Sequence, residues 1–145
     1  MNPGRSPPGV RILAWSAVGA YMALIFFLSS EPNPLPELTS RVWDKALHAT
    51  EYAGLALLIG WALLASGVAG RRALALAALG ASLYGASDEL HQAFVPNRSN
   101  EVSDWVADSI GGALGAAIGI ATVAAALRVR GSRASIRRDA AREVP

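Results

Sequence analysis

Asp44, Lys45, His48 and Glu51 form one short group in this sequence; Asp88, Glu89, His91 and Gln92 form a second. Asp104 and Asp108 form a third, and Arg98 lies between the last two. On a helix, the spacing of Asp44, His48 and Glu51 puts all three side chains on one face. The same holds for Asp88 with His91 and for Asp104 with Asp108. Histidine titrates nearest neutral pH, so His48 or His91 is the natural general acid/base, with Asp88 or Glu51 orienting its ring and setting its tautomer. The candidate catalytic residues are therefore His48, Glu51, Asp88, Glu89 and His91. Asp44, Lys45, Gln92, Arg98, Asp104 and Asp108 are the candidate substrate-binding residues. The plain structural alternative is a salt-bridge network in which Lys45, Arg98 and the histidines neutralise the carboxylates.

Two histidines with carboxylates could suit Zn²⁺, and the oxygens of Asp104 and Asp108 could suit Mg²⁺ with a phosphate substrate. No cofactor is predicted from a motif, however. The chain has no cysteine, no His-Glu-x-x-His, no repeated Glu-x-x-His, no P-loop and no Gly-x-Ser-x-Gly elbow. Ser29, Ser30 and Ser87 stand close enough in the predicted arrangement to add hydrogen bonds.

The elements that must position these groups are apolar. Of 145 residues, 52% are hydrophobic and 17% charged. The charges avoid four windows, Ile12–Ser30, Tyr52–Gly70, Ala73–Ser87 and Ser109–Leu127. About 20 mostly apolar residues cross the ~30 Å hydrocarbon core as a helix, whereas helices of a soluble domain keep a polar face. The fold class predicted is all-α, an integral membrane four-helix bundle. Its domain covers residues 1–127, with helices at about 10–28, 44–66, 73–94 and 104–127. The first stretch is longer than a signal-peptide core and no cleavage motif follows it. Pro32, Pro34 and Pro36 predict an extended connector; Gly67 and Gly70 close the second helix. Pro96 ends the third, and Ser103 is a natural N-cap for the fourth. Residues 128–145 hold six arginines with little apolar periodicity and predict a basic, cytoplasmic, disordered tail.

Positive residues favour the cytoplasmic side. With the N-terminus inside, Arg5, Arg11, Arg71, Arg72, Arg128, Arg130, Arg133, Arg137, Arg138 and Arg142 lie inside, with only Asp139 and Glu143 against them, a formal charge of +8. The outer side takes Arg41, Lys45 and Arg98 with nine acids, a formal charge of −6. Both termini are thus expected inside the cytoplasmic (inner) membrane. Trp43 and Trp105 fall at the outer interface and Trp15 near the inner one. At ~1.5 Å per residue, Asp88 lies roughly 22 Å from the inner start of its helix and Glu51 roughly 10 Å below the outer start of its own. All three polar groups then converge below the outer headgroups. Intramembrane charges persist where they pair or face a wet cavity, which predicts an outward-facing polar pocket.

Membrane lipids and a lipid-linked envelope substrate are the partners this pattern calls for. Nucleic acid is not, because no folded basic module presents the tail. Gly111, Gly115 and Gly119 repeat at small-xxx-small spacing, which suits close packing against another helix of the bundle or a second copy of the chain.

These residues also carry a family resemblance. Leu28-Ser29-Ser30, Asp44-Lys45-x-x-His48-x-x-Glu51-Tyr52, Ser87-Asp88-Glu89-x-His91-Gln92-x-Phe94-x-Pro96-x-Arg98 and Asp104-x-x-x-Asp108-x-x-Gly111 resemble the VanZ-like family of small membrane proteins, over about residues 15–120. The resemblance implies a compact four-helix membrane protein of the cell envelope and makes these polar positions the family's signature residues. It also implies a link to resistance against the lipoglycopeptide teicoplanin, the property associated with the family's best-known member.

Overall fold

A computed structural model describes residues 5–32, 41–96, 98 and 101–142, except for the side chains of residues 41–43, 127, 128, 130, 131 and 133–142. The described chain is four helices, α1 (Pro8–Ser30), α2 (Arg41–Ala65), α3 (Gly70–Gln92) and α4 (Val102–Arg142), with no strand among the described residues. Three helical segments are long and apolar enough to cross a membrane: Pro8–Ser30, Asp44–Ala65 and Val102–Ala126. α3 is equally long at 23 residues, but alanine, glycine and its polar end dilute its hydropathy. It carries Leu74, Leu76, Leu79, Leu83 and Leu90 on its exposed face.

The helix ends have local causes. Pro8 stands in the first turn of α1, where its missing N–H costs nothing. α2 stops at Ala65 because Gly67 adopts φ 85°, which a side chain would resist. The Gly67 N–H donates to the Leu64 carbonyl (2.9 Å) and the Val68 N–H to the Leu63 carbonyl (3.0 Å). Those two bonds close the helix carbonyls in a Schellman turn. Gly70, expected in the loop, instead opens α3, and Arg71 and Arg72 fall in its first turn.

Two expectations about α4 need correction. It begins at Val102, so Ser103 lies inside the first turn rather than capping it. The Asp104 N–H donates to the Glu101 carbonyl (2.9 Å), and Ser103 Oγ donates to Glu101 Oε2 (3.0 Å). Nor does α4 end at Leu127. The backbone stays helical to Arg142, where a disordered tail was expected, because alanine and arginine are both strong helix formers and no proline interrupts them. The extended Pro34–Pro36 connector and the Asn97, Ser99 and Asn100 turn lie outside the described residues.

Small residues make the core. Ala14, Ala56, Ala62, Ala77, Ala81 and Ala116 are buried with Tyr52, Leu55, Ile25 and Val18. α4 lies on α2 so closely that a Cβ at Gly111 would collide with the Ala49 backbone, and one at Gly115 with the Ala53 backbone. Gly119 faces Leu57. The glycine stripe is therefore filled from within the chain, by α2, the first of the two packing partners expected for it. Without a hydrophobic driving force between helices in lipid, such close backbone approach supplies the packing attraction.

At one end of the bundle, the Ser6 N–H donates to the Ala65 carbonyl (2.9 Å) and Trp15 Nε1 to Ser66 Oγ (3.2 Å). At the other end the C-terminal ends of α1 and α3 meet the N-terminal ends of α2 and α4. The polar residues collect there.

Candidate functional site

Four helices deliver the predicted polar residues to one end of the bundle, but into separate groups. The first lies between α2 and α4. His48 Nδ1 meets the fully buried Asp108 Oδ1 at 2.9 Å. Since a carboxylate only accepts, the imidazole donates from Nδ1. One turn earlier, Lys45 Nζ pairs with Asp104 and lies 3.3 Å from Glu101 Oε2. Glu89 reaches this group from α3, and its Oε2 accepts the Glu101 N–H (2.9 Å). Asp108 fits because α3 has glycine opposite it; a Cβ on Gly85 would lie 2.8 Å from Asp108 Oδ2.

The second group lies between α1 and α3. Ser29 Oγ donates to Asp88 Oδ1 (2.5 Å), and Gln92 Nε2 donates to Asp88 Oδ2 (3.0 Å) and to Ser29 Oγ (3.1 Å). All three side chains are buried. The Ser30 hydroxyl donates to the Phe26 carbonyl (2.7 Å) and lies 3.0 Å from His91 Nε2. The His91 ring stands 4.5 Å from that of Phe26.

These contacts revise the sequence-level pairing. Asp88 does not orient His91, although the two share a helical face; it binds Ser29 and Gln92, and His91 turns to α1. The residue that orients a histidine is Asp108, on His48. Neither Asp88 nor Glu51 makes that contact, because partners across a helix interface are decided by helix rotation rather than by spacing along one chain. Glu101 and Gly85 carry parts of this site that the sequence reading missed. Glu101 stood out only as one of the outer acids, and Gly85 gave no signal beyond its small size.

Between the two groups lies a cleft of about 300 Å³ lined by Tyr21, Leu24, Leu28, Ser29, Asp44, Leu47, His48, Thr50, Glu51, Gln92 and Arg98. Three elements thus contribute to it, α1, α2 and the end of α3, together with Arg98 from the segment beyond. Arg98 Nε is buried without a hydrogen-bond partner among the described residues. The cleft brings together Asp44, His48, Glu51, Gln92 and Arg98 from the sequence-predicted set. Lys45, Asp88, Glu89, His91, Asp104 and Asp108 stand outside its lining. Two sets of three offer metal-ligand atoms within 4.8 Å of one another: His48 with Glu89 and Asp108, and His48 with Asp44 and Asp104. His91 is in neither.

A family model described as VanZ/LLP1 matches residues 14–124, most of the chain and all of the polar end. The protein belongs to the VanZ-like family. No curated protein and no solved structure matches it. With its apolar helices, this membership makes it a multi-pass membrane protein, as the resemblance of its signature residues implies. The polar residues that carry the resemblance are thus distributed over two seams of the bundle and the cleft between them.

Proposed function

We propose that this protein works in the cell envelope, in the cytoplasmic (inner) membrane with both termini inside, and that its cleft opens outward. There it binds the head of an amphiphilic or lipid-linked envelope component. The observation that carries the reading is the lining of the cleft. Leu24, Leu28 and Leu47 are exposed on its rim and suit an acyl chain, while Asp44, His48, Glu51 and Arg98 share the same cavity and suit a polar head. The half-buried Arg98 keeps its Nε buried without a partner among the described residues, which is costly at membrane depth. A guanidinium is the group best shaped to take a phosphate or carboxylate in two parallel hydrogen bonds. Any acid/base step on the bound head would fall to Glu51, since His91 does not line the cavity and His48 is held by Asp108. The charge asymmetry of the loops supports the orientation, and family membership supports a link to tolerance of teicoplanin-type glycopeptides.

The test replaces Arg98 by Ala and Glu51 by Gln in the full chain. Copurifying lipids are measured by mass spectrometry, and teicoplanin tolerance is measured in cells expressing each variant. The reading expects bound amphiphile and tolerance to fall together in R98A while the amount of protein in the membrane stays constant.

A second reading is favoured by a specific observation, the pairing of Lys45 with Asp104 and Glu101 and of Asp88 with Ser29 and Gln92. On it the bundle is a non-enzymatic accessory protein whose polar end is a structural network. Loss of membrane abundance in step with loss of phenotype supports this alternative and counts against the first.

A further inference from the structure

We propose that His48, Glu89 and Asp108 bind a divalent transition-metal ion of the Zn²⁺ or Mn²⁺ kind where α2, α3 and α4 meet. Each residue offers a ligand atom, and the three atoms lie within 4.8 Å of one another. The set is one imidazole nitrogen with two carboxylates, a mixture suited to such ions rather than to Mg²⁺, which prefers oxygen alone. An ion bound here would take the place of the His48 Nδ1 proton, which now spans the 2.9 Å to Asp108 Oδ1. Neighbouring ligands, each ~2.1 Å from a metal, stand about 3.0–3.4 Å apart in octahedral or tetrahedral geometry, so the pair needs to open by only a few tenths of an ångström.

Two further observations point to a ligand. The side chains are 8%, 7% and 0% exposed for His48, Glu89 and Asp108, yet Glu89 Oε1 and Asp108 Oδ2 have no hydrogen-bond partner among the described residues. Buried carboxylate oxygens left bare are rare, because each forfeits its hydration without replacement. A single histidine cannot neutralise two acids. The competing set of Asp44, His48 and Asp104 lacks this need, since Lys45 already occupies Asp104. A cavity of about 210 Å³ lined by Ala86, Glu89, Glu101, Val102 and Trp105 has Glu89 on its wall, and His48 lines the cleft, so two of the three ligands border open space.

The experiment uses the full chain in detergent micelles, stripped with chelator and then given ZnCl₂ or MnCl₂ alone. Bound metal is counted by mass spectrometry after gel filtration. One ion per chain is expected, falling to background in E89Q and in D108N, both checked for unchanged helicity and elution. In the Mn²⁺-loaded wild type, pulsed electron paramagnetic resonance should show coupling to one imidazole nitrogen, a readout that needs no variant. Absence of bound ion in the wild type overturns the proposal. So does retention of the full ion by either variant, or an Mn²⁺ spectrum without nitrogen coupling. The lipid-binding reading is tested separately, because R98A should leave the metal content unchanged whether or not it releases the amphiphile.

Discussion

The seam between α2 and α4 and the seam between α1 and the rest of the bundle are made of opposite materials. The first is backbone on backbone. Gly111 and Gly115 rest on Ala49 and Ala53, and a paired polar group of Lys45, His48, Asp104 and Asp108 sits beside them. The second is side chain on side chain. α1 buries only Ala14, Val18, Ile25 and Ser29 and holds on through individual hydrogen bonds. One runs from Ser29 to Asp88, another from the Tyr84 hydroxyl to the Met22 carbonyl at 2.7 Å. Glycines of α1 face nothing; a Cβ on Gly19 would meet no atom within 4 Å. A tight seam can keep charges desolvated and paired, whereas a looser one leaves room for a cleft. The cleft accordingly lies along α1, and the paired polar group lies under α4.

If this contrast is right, substitutions of one chemical kind should have unequal effects at the two seams. The largest effect is expected for Gly115→Leu, which sets a branched side chain against the Ala53 backbone. No folded protein should elute from a sizing column, and even Gly115→Ala should cost about 1–3 kcal/mol or more from overpacking, read as thermal unfolding in detergent. Next comes Asp108→Ala, which strands His48 without its buried partner and should cost about 3–5 kcal/mol; Asp108→Asn should recover part of that in the same melt.

Ser29→Ala takes one donor from Asp88 while Gln92 still serves the other oxygen, so a loss of about 1–3 kcal/mol is expected. That α1 hydrogen bond should weaken the melt less than the α4 pair does. The smallest effect, and one of opposite sign, belongs to Gly19→Ala. It should stabilise α1 by about 0.5–1 kcal/mol through backbone entropy alone. Equal destabilisation by Gly19→Ala and Gly115→Ala would erase the contrast.

Much of the bundle was legible from residue order. Charge-free windows marked the helices to within a few residues at most ends, and Gly67 marked the end of α2. α4 overran its predicted end because helix propensity acts residue by residue and does not need an apolar face. Of the site, most of the polar residues and their single end were legible; Glu101, Gly85 and the pairings were not. Asp44, His48 and Glu51 do share α2, yet His48 pairs across the seam to Asp108 while Glu51 and Asp44 line the cleft. Asp88 and His91 share α3 but take different partners, Ser29 and Gln92 for the one and Ser30 for the other.

Sequence by itself determined that this is a membrane bundle with its acids and histidines at one end. The reason is that crossing lipid requires long uncharged helices, and alternating helices bring every second end to the same side. Tertiary structure alone decided that His48 belongs to Asp108, that Asp88 belongs to Ser29, and that the glycine stripe belongs to α2. Those choices depend on how far each helix is rotated about its axis and how closely two backbones approach, and both are set by packing between segments distant in the chain.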